Sequence, residues 1–563
     1  MKQSIHLEKI RRLLFELYGD EQAKNCFESL LTILDQYRSN DVIRKKCRKY
    51  NNRPEFAASD ALLITYPDTF HERDVPPLQT LLKFMRTYIN DAMSGVHILP
   101  FFPSSGDGGF SITDFYSVDP KFGTWKDIEA IAEEYRVMSD LVLNHVSVHS
   151  EWFQKFLDGD PHYERFFIAY EKNTDTSHVH RPRTHPLLTK FKTKKGERYV
   201  WTTFSPEQAD LNFKNPAVLQ EMIKVLLHYL SHGIELIRLD ATAYLWDDPD
   251  TDSVNLPQTH TIVKILRSAI EEIAPYALFL SETPFPLKAN MSYFGEGDEV
   301  NLIYAFHLPP IVLDAFLQKD TKIIQKFFVQ NNFNGHCPLF NILSTHDGIS
   351  VQGVEDFLPP DHMHSMAETL LKHNAYISYK QLDDREIPYE MNITYFDAIN
   401  DPKDESSDAV ERFIASQAVM LALKGMPGIY IHSLIASRNN LEQAKKTGIK
   451  RDINRAKYKL QDVEAALQNT DSRRWKCLTA FKNLLQKRAE LPQFNPDAHQ
   501  EILPSGPRLL HIKRTWKDKS IHVLINVSDE SVPFPELTGK MDALTEEKFD
   551  GQVRARGVYF LKG

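Results

Sequence analysis

The sequence predicts an α/β protein centred on a parallel sheet of βαβ units, with a helical extension before it and a small β domain after it. Three observations predict this. From about residue 60, short apolar runs of strand length alternate with helical patterns: residues 61–66, then 78–89, then 96–99. Residues 5–50 look helical, with apolar side chains recurring at helical spacing (Leu7, Ile10, Leu14, Leu17; Phe27, Leu30, Leu31, Leu34). From about residue 500 the pattern changes to alternation, as in Ile521-His522-Val523-Leu524-Ile525-Asn526-Val527.

Composition narrows the function. With 563 residues the chain is too long for one simple core. A hydrophobic share of 42% and a charged share of 25% fit a folded protein. The net charge of −9 gives no global attraction for nucleic acid or anionic membranes, so neither is an expected partner. Any bound anion must be met by a local group of Arg or Lys. Cys26, Cys47, Cys337 and Cys477 are scattered and form no CxxC, so neither a disulfide framework nor a zinc site is expected. No apolar run reaches the ~20 residues of a membrane span. The N-terminus leads into a charged helical pattern without a signal-peptide core. A cytoplasmic protein is expected.

Taken in order, residues 61–66 form a strand closed by Pro67-Asp68, 78–89 a helix, and 96–99 a strand ended by Pro100. The following loop contains Asp107-Gly108-Gly109-Phe110. Its glycines permit close approach to a ligand, Asp107 can accept sugar hydroxyls, and Phe110 can stack on an apolar sugar face; an ordinary glycine-rich turn reads the same way. A helix over 125–135 precedes a strand ending in Asn144-His145. In residues 233–241, Arg238 and Asp240 stand two apart on a strand and so share a side. A cation there favours an ionised carboxylate, suited to a nucleophile or to a structural ion pair. Helix 261–273 and strand 277–282, ending in Glu282, come next. Strand 339–343 ends before His346-Asp347; helix 413–423, strand 428–432 and a helical region over 455–490 follow.

Asp140-x-x-x-Asn144-His145, Arg238-x-Asp240, Glu282 and His346-Asp347 occur in the order and approximate spacing of the four motifs of the α-amylase clan of glycoside hydrolases, which the chain resembles over about residues 60–460. Within the clan it is similar to the sucrose phosphorylase subfamily, through Asp107-Gly108-Gly109-Phe110, Arg181-Pro182-Arg183, the stretch from Trp201 to Gln208, and Arg451-Asp452-Ile453-Asn454-Arg455. The N-terminal helices, the stretch from Asn290 to Gly295 and the stretch from Pro388 to Asp397 resemble its long glucosylglycerate phosphorylase branch.

The resemblance implies a (β/α)8 TIM barrel with its site at the C-terminal ends of the strands. The expected organisation is a helical extension (1–55), a first barrel part (56–145), an inserted domain after strand 3 (146–205), the barrel remainder with an acceptor-site loop near 376–405 (206–495), and a C-terminal β domain (496–563). It implies a retaining phosphorylase that passes glucose from an α-glucoside to inorganic phosphate. Cleaving an acetal with retention needs a carboxylate nucleophile and a carboxylic acid donor. Asp240, beside its arginine, is expected to attack. Glu282, ending an apolar strand, is expected to stay protonated and donate. By resemblance Asp347 stabilises the transition state, and His145 and His346 bind the sugar. Asp107 and Arg455 close the far end of the glucose pocket, Phe110, Phe204 and Tyr244 form its walls, and Gln208 makes a polar contact near the nucleophile. Arg181 and Arg183 are expected to bind phosphate, with Tyr389 bordering the acceptor site.

No metal and no cofactor are expected, and a homodimer is left open. Two departures from the branch put the aglycone pocket in doubt: Leu287 replaces the usual histidine, and Gly108 replaces the second aspartate of the loop. Glycerate, glycerol, fructose or another small polyol remain open as acceptors. A sucrose or glucosylglycerol phosphorylase, and a hydrolase or transglucosidase of the same clan, are the alternative activities.

Overall fold

The computed structural model describes residues 4–51, 56–183, 185–331, 339–382, 385–404 and 406–563; Cys337 and three positions of the expected acceptor loop (383, 384 and 405) lie outside them. Eight parallel strands close into a barrel: β1 (Leu62–Thr65), β2 (Gly95–Ile98), β3 (Arg136–Val142), β4 (Leu236–Asp240), β5 (Leu278–Ser281), β6 (Leu302–Tyr304), β7 (Leu339–Asn341) and β8 (Met426–Tyr430). Each pairs with its successor, and β8 returns to β1 with Leu62 opposite Gly428. Helices cover the outside and side chains fill the inside, so the strands are buried on both faces and read as continuous apolar runs.

The strand β6 has no counterpart in the sequence reading. It is three residues long, Leu302-Ile303-Tyr304, too short to show a period. Strand β3 starts at Arg136 and is buried along its whole length, Arg136 and Ser139 included, so polar residues interrupt its apolar pattern.

The N-terminal helices α1 (Ile5–Tyr18), α2 (Asp20–Arg38) and α3 (Asp41–Tyr50) pack on the barrel helices Pro216–Ser231 and Pro257–Ile273. They bury Leu7, Ile10, Leu14, Phe27, Leu30 and Leu34, the stripe that the sequence marks. Polar ties fix the docking. Lys46 donates to Glu235 at 2.5 Å and Tyr50 to the same oxygen at 2.9 Å, while Arg136 reaches the other carboxylate oxygen at 3.2 Å. Glu235 is fully buried just before β4, at the end of the barrel opposite Asp240.

After β3, residues 146–205 hold the helix Glu151–Leu157 and a small antiparallel sheet of Ala169–Tyr170, Leu188–Thr193 and Gly196–Trp201. After β7, a hairpin of Tyr376–Leu382 and Arg385–Asn392 pairs with Ile349–Ser350 at the barrel mouth. The end of the chain forms a four-stranded antiparallel sheet of His499–Leu503, Leu509–Trp516, Lys519–Asn526 and Val558–Lys562. No helix among the described residues is long and apolar enough to cross a membrane.

Candidate functional site

One cavity at the C-terminal ends of the strands gathers most of the residues that the sequence singles out. Asp107, Phe110, His145, Arg183, Phe204, Arg238, Asp240, Tyr244, Glu282, His346, Asp347 and Tyr389 all line it. The register explains the meeting of Asp240 and Glu282. Leu239 lies opposite Ser281 in adjacent parallel strands, so the next residue of each stands about 5 Å from the other along the barrel rim. Ala241 then leaves the strand with a left-handed backbone (φ 51°, ψ 35°), a conformation that costs energy for a residue with a Cβ. That turn aims its N–H at Glu282 Oε2, 3.1 Å away.

Arg238 lies beneath the cavity floor. Its Nη1 donates to Asp240 Oδ1 at 2.6 Å and to Asp140 Oδ1 at 2.5 Å. Asp140 is fully buried, accepts from His97 at 2.9 Å, and is held below the usual carboxylate range by His97 and Arg238 against its burial. The arginine therefore serves two carboxylates, which the sequence did not indicate. Burial pushes the carboxyls of Asp240 and Glu282 up and Arg238 pulls both down; the two carboxyls sit close enough for Glu282 to add to the rise at Asp240, and Asp347 adds to the rise at Glu282. Only Asp240 of the two accepts a hydrogen bond from that guanidinium, at 2.6 Å, and that contact favours the charge on Asp240.

Asp347 is the opposite case. Although burial works against ionisation, the guanidiniums of Arg451 and Arg455 hold its carboxyl well below the usual range. Arg451 Nη1 donates to Asp347 Oδ1 at 2.5 Å, and its Nε donates to Glu390 of the hairpin at 2.9 Å. His145 and His346 are buried and stay neutral: burial lowers them to about 4 and about 3. His346 stacks on Phe110 at 5.1 Å and 9°, and Phe204 bridges His145 and Tyr244 with ring distances of 5.2 and 5.3 Å.

Other predicted site residues sit differently from their expected places. Gln208 is buried behind the cavity, donating to Asp107 at 3.1 Å and contacting His145 at 3.0 Å, so it orients two lining residues. Arg455 stands behind Asp347, 3.7 Å from its Oδ1, and donates to the His346 carbonyl at 2.8 Å; Asp107 is held by Gln208 rather than by an ion pair with Arg455. Gly108 (φ 59°) requires its glycine here, because a Cβ would fall 2.7 Å from both Arg455 Nη1 and the Tyr66 hydroxyl. The two arginines of the inserted segment part company. Arg183 lines the cavity, whereas Arg181 Nη2 turns to the carbonyl of His185, within the same segment. Leu287 opens the helix Leu287–Met291 and packs on the core; Pro284 is the member of that loop that lines the cavity.

The sequence reading assigned no role to Arg451, Glu390, His180, Phe306, Ser350 or Gln352, which also line the cavity. Arg451 stood in a quoted loop and could have been found there. Glu390 stood in the quoted stretch from Pro388 to Asp397; the others carry no local signal. Among the described residues no group of three or more His, Cys, Asp or Glu side chains could hold a metal ion.

The fold and the cavity at its mouth define an α-amylase-type barrel, and residues 85–340 match the family model "Alpha amylase, catalytic domain". The glucosylglycerate phosphorylase of Spirochaeta thermophila is 43% identical over 94% of this chain and 91% of its own, and that of Escherichia coli is 36% identical over 92% and 93%. The solved sucrose 6F-phosphate phosphorylase from Thermoanaerobacter thermosaccharolyticum superposes with a TM-score of 0.74 at 26% identity, covering 84% of this chain and 96% of that one. The chain belongs to the glucosylglycerate phosphorylase family of α-amylase-type glycoside phosphorylases.

Proposed function

We propose that this protein is a retaining phosphorylase that transfers glucose from a 2-O-α-glucosyl-glycerate type donor to inorganic phosphate, giving α-glucose 1-phosphate. One observation carries the reading: Asp240 and Glu282, at the ends of adjacent strands, face the same cavity as an arginine, Arg183, that has no carboxylate partner among the described residues. Two carboxyls alone suit hydrolysis or transfer, and the free guanidinium adds a place for an anion.

The chemistry follows from the protonation states. As the glycosidic C1–O bond breaks, Glu282 gives its proton to the departing oxygen, and a carboxylate oxygen of Asp240 bonds to C1. The product is a β-glucosyl ester with Glu282 now ionised. A phosphate oxygen then attacks C1 from the side that the leaving group vacated. Its proton passes to Glu282, the C1–O bond to Asp240 breaks, and Asp240 is again a carboxylate. Two inversions give net retention. Asp347, ionised throughout, grips ring hydroxyls and offsets the developing positive charge. Phe110, Phe204 and Tyr244 wall the sugar, and His145 and His346, as neutral rings, bind its hydroxyls.

The test runs the reaction backwards. Wild-type protein with α-glucose 1-phosphate is given glycerate, glycerol or fructose, and phosphate release is followed. Release fastest with glycerate supports the reading. Release fastest with fructose or glycerol replaces it with a sucrose or glucosylglycerol phosphorylase, and no acceptor-dependent release overturns phosphorolysis altogether.

A further inference from the structure

A second cavity, of about 860 Å³, lies away from the chemistry and shares no lining residue with the one that holds Asp240 and Glu282. Three parts of the chain build it: helix α2 of the extension, the inserted segment, and the start of the barrel helix Pro216–Ser231. Its walls differ in chemistry. Helix α2 offers Gln22, Asn25 and Ser29, at helical spacing on one face, and the barrel helix adds Gln220. All four side chains can both donate and accept hydrogen bonds. The inserted segment offers buried Phe156, Phe167 and Ile168 together with exposed Arg165, Lys195 and Arg198. Lys214 is a fourth cation, and Glu164 is the one acid in the lining among the described residues. Lys195 pairs with Glu164 at 2.8 Å, and Lys214 leans on Asp248 at 3.5 Å. Arg165 and Arg198 have no ion pair among the described residues; their charge reaches Glu164 only from farther out, adding to the lowering of its carboxyl that Lys195 causes. The backbone of Arg165 is held in place, because Asn212 Nδ2 and Asn215 Nδ2 donate to its carbonyl at 3.0 and 3.2 Å. Asn215 also caps the barrel helix, accepting from the Ala217 N–H at 3.1 Å.

We infer that this cavity is a second binding site, for a phosphorylated sugar. Each part of the lining asks for one part of such a ligand. The amides and the hydroxyl match sugar hydroxyls, and the apolar patch matches a C–H face. The two guanidiniums match a phosphate, to which arginine presents a planar fork. A neutral sugar leaves both arginines unused. Inorganic phosphate leaves the amide wall and most of the volume unused. The chain carries a net charge of −9 and attracts anions nowhere by its overall field, so only a local group of cations such as this one can do so. A ligand that reaches both walls also ties the inserted segment to the extension, which gives the N-terminal helices a part in binding beyond covering the barrel.

The probe is glucose 6-phosphate, whose C1 carries no phosphate and which is no glucosyl donor. Calorimetry on the full chain compares it with glucose and with inorganic phosphate. Wild type is expected to bind glucose 6-phosphate about tenfold or more tightly than either fragment, the scale of a hydrogen bond to a charged group. Arg165→Ala and Arg198→Ala are each expected to weaken that binding by about tenfold. Their urea midpoints are expected to stay unchanged, since both side chains are exposed. Arg183→Ala, in the catalytic cavity, is expected to leave the binding intact. Hydrogen exchange of wild type is expected to slow on both walls, in α2 and in the inserted segment, when the probe is added. Five results overturn the site: no binding of glucose 6-phosphate, equal binding of either fragment, binding that survives both arginine changes, binding lost with Arg183→Ala alone, or slowed exchange confined to the catalytic cavity.

Discussion

Arg238 shows how much of the site hangs on single side chains. With Asp140 on one side and Asp240 on the other, it holds both carboxylates through one guanidinium nitrogen. Replacing Asp240 by Asn is expected to keep the fold and to cut turnover by several orders of magnitude, because the covalent step loses its nucleophile; an activity above a tenth of wild type contradicts the assignment. Glu282→Gln separates the two half-steps. It is expected to nearly abolish cleavage of a glucoside whose leaving oxygen needs a proton and to cost much less with α-glucosyl fluoride, whose leaving group needs none. The pH dependence follows with a definite sign. Burial raises the Glu282 carboxyl, so the donor form persists above the ordinary carboxylate range and is lost as pH rises through the raised value. In wild type the kcat/KM for a glucoside is expected to fall on this alkaline limb, and the limb is expected to vanish with α-glucosyl fluoride. An identical limb on both donors removes Glu282 as the acid. At this scale the pairing of Arg238 with Asp240 was legible, because strand alternation puts residues two apart on one side. The pairing of Arg451 with Asp347 was not, because the two are 104 positions apart and no local pattern links them, although Arg451 itself stood in a quoted loop.

At the scale of elements, the N-terminal helices are tied to the strand that bears Asp240. Lys46 of α3 meets Glu235 in the interior, where removing one partner of a buried ion pair costs about 3 kcal/mol or more. Lys46→Met is expected to lower the denaturation midpoint by that scale, while Lys45→Met on the exposed side of the same helix stays within about 0.5 kcal/mol; equal effects, measured by urea unfolding, contradict the docking account. The hairpin behind Tyr389 hangs on a similar tie. Glu390 accepts from Arg451, which also holds Asp347, so Glu390→Gln is expected to loosen hairpin and carboxylate together and to weaken both donor and acceptor KM several-fold. A change confined to one substrate separates the two. The helices α1 to α3 were readable as helices from their apolar stripes, but not their separation into three or the surface they cover. Gly19 and the Asn40 cap divide them with signals too weak to read within a continuous stripe. The sheet of the inserted segment was not legible, because its strands are only half-buried and so carry little pattern.

At the scale of the molecule, the barrel places groups from β4, β5, the loop after β7 and the inserted segment around one cavity, although they are scattered from Asp107 to Arg451 in the chain. The order of strands and motifs was legible because each strand is a compact apolar run with its polar residues at the C-terminal end. Distances across the mouth were not, which is why Arg181 and Arg183 read as equals although only Arg183 reaches the cavity. The central claim is that the glucosyl group leaves on phosphate with its configuration kept. It is tested by incubating the wild-type protein with 2-O-α-glucosyl-glycerate and excess phosphate and resolving the first product by proton NMR before any anomer can equilibrate. The account predicts α-glucose 1-phosphate, with free glucose a minor product; β-glucose 1-phosphate, or free glucose alone at saturating phosphate, would contradict it.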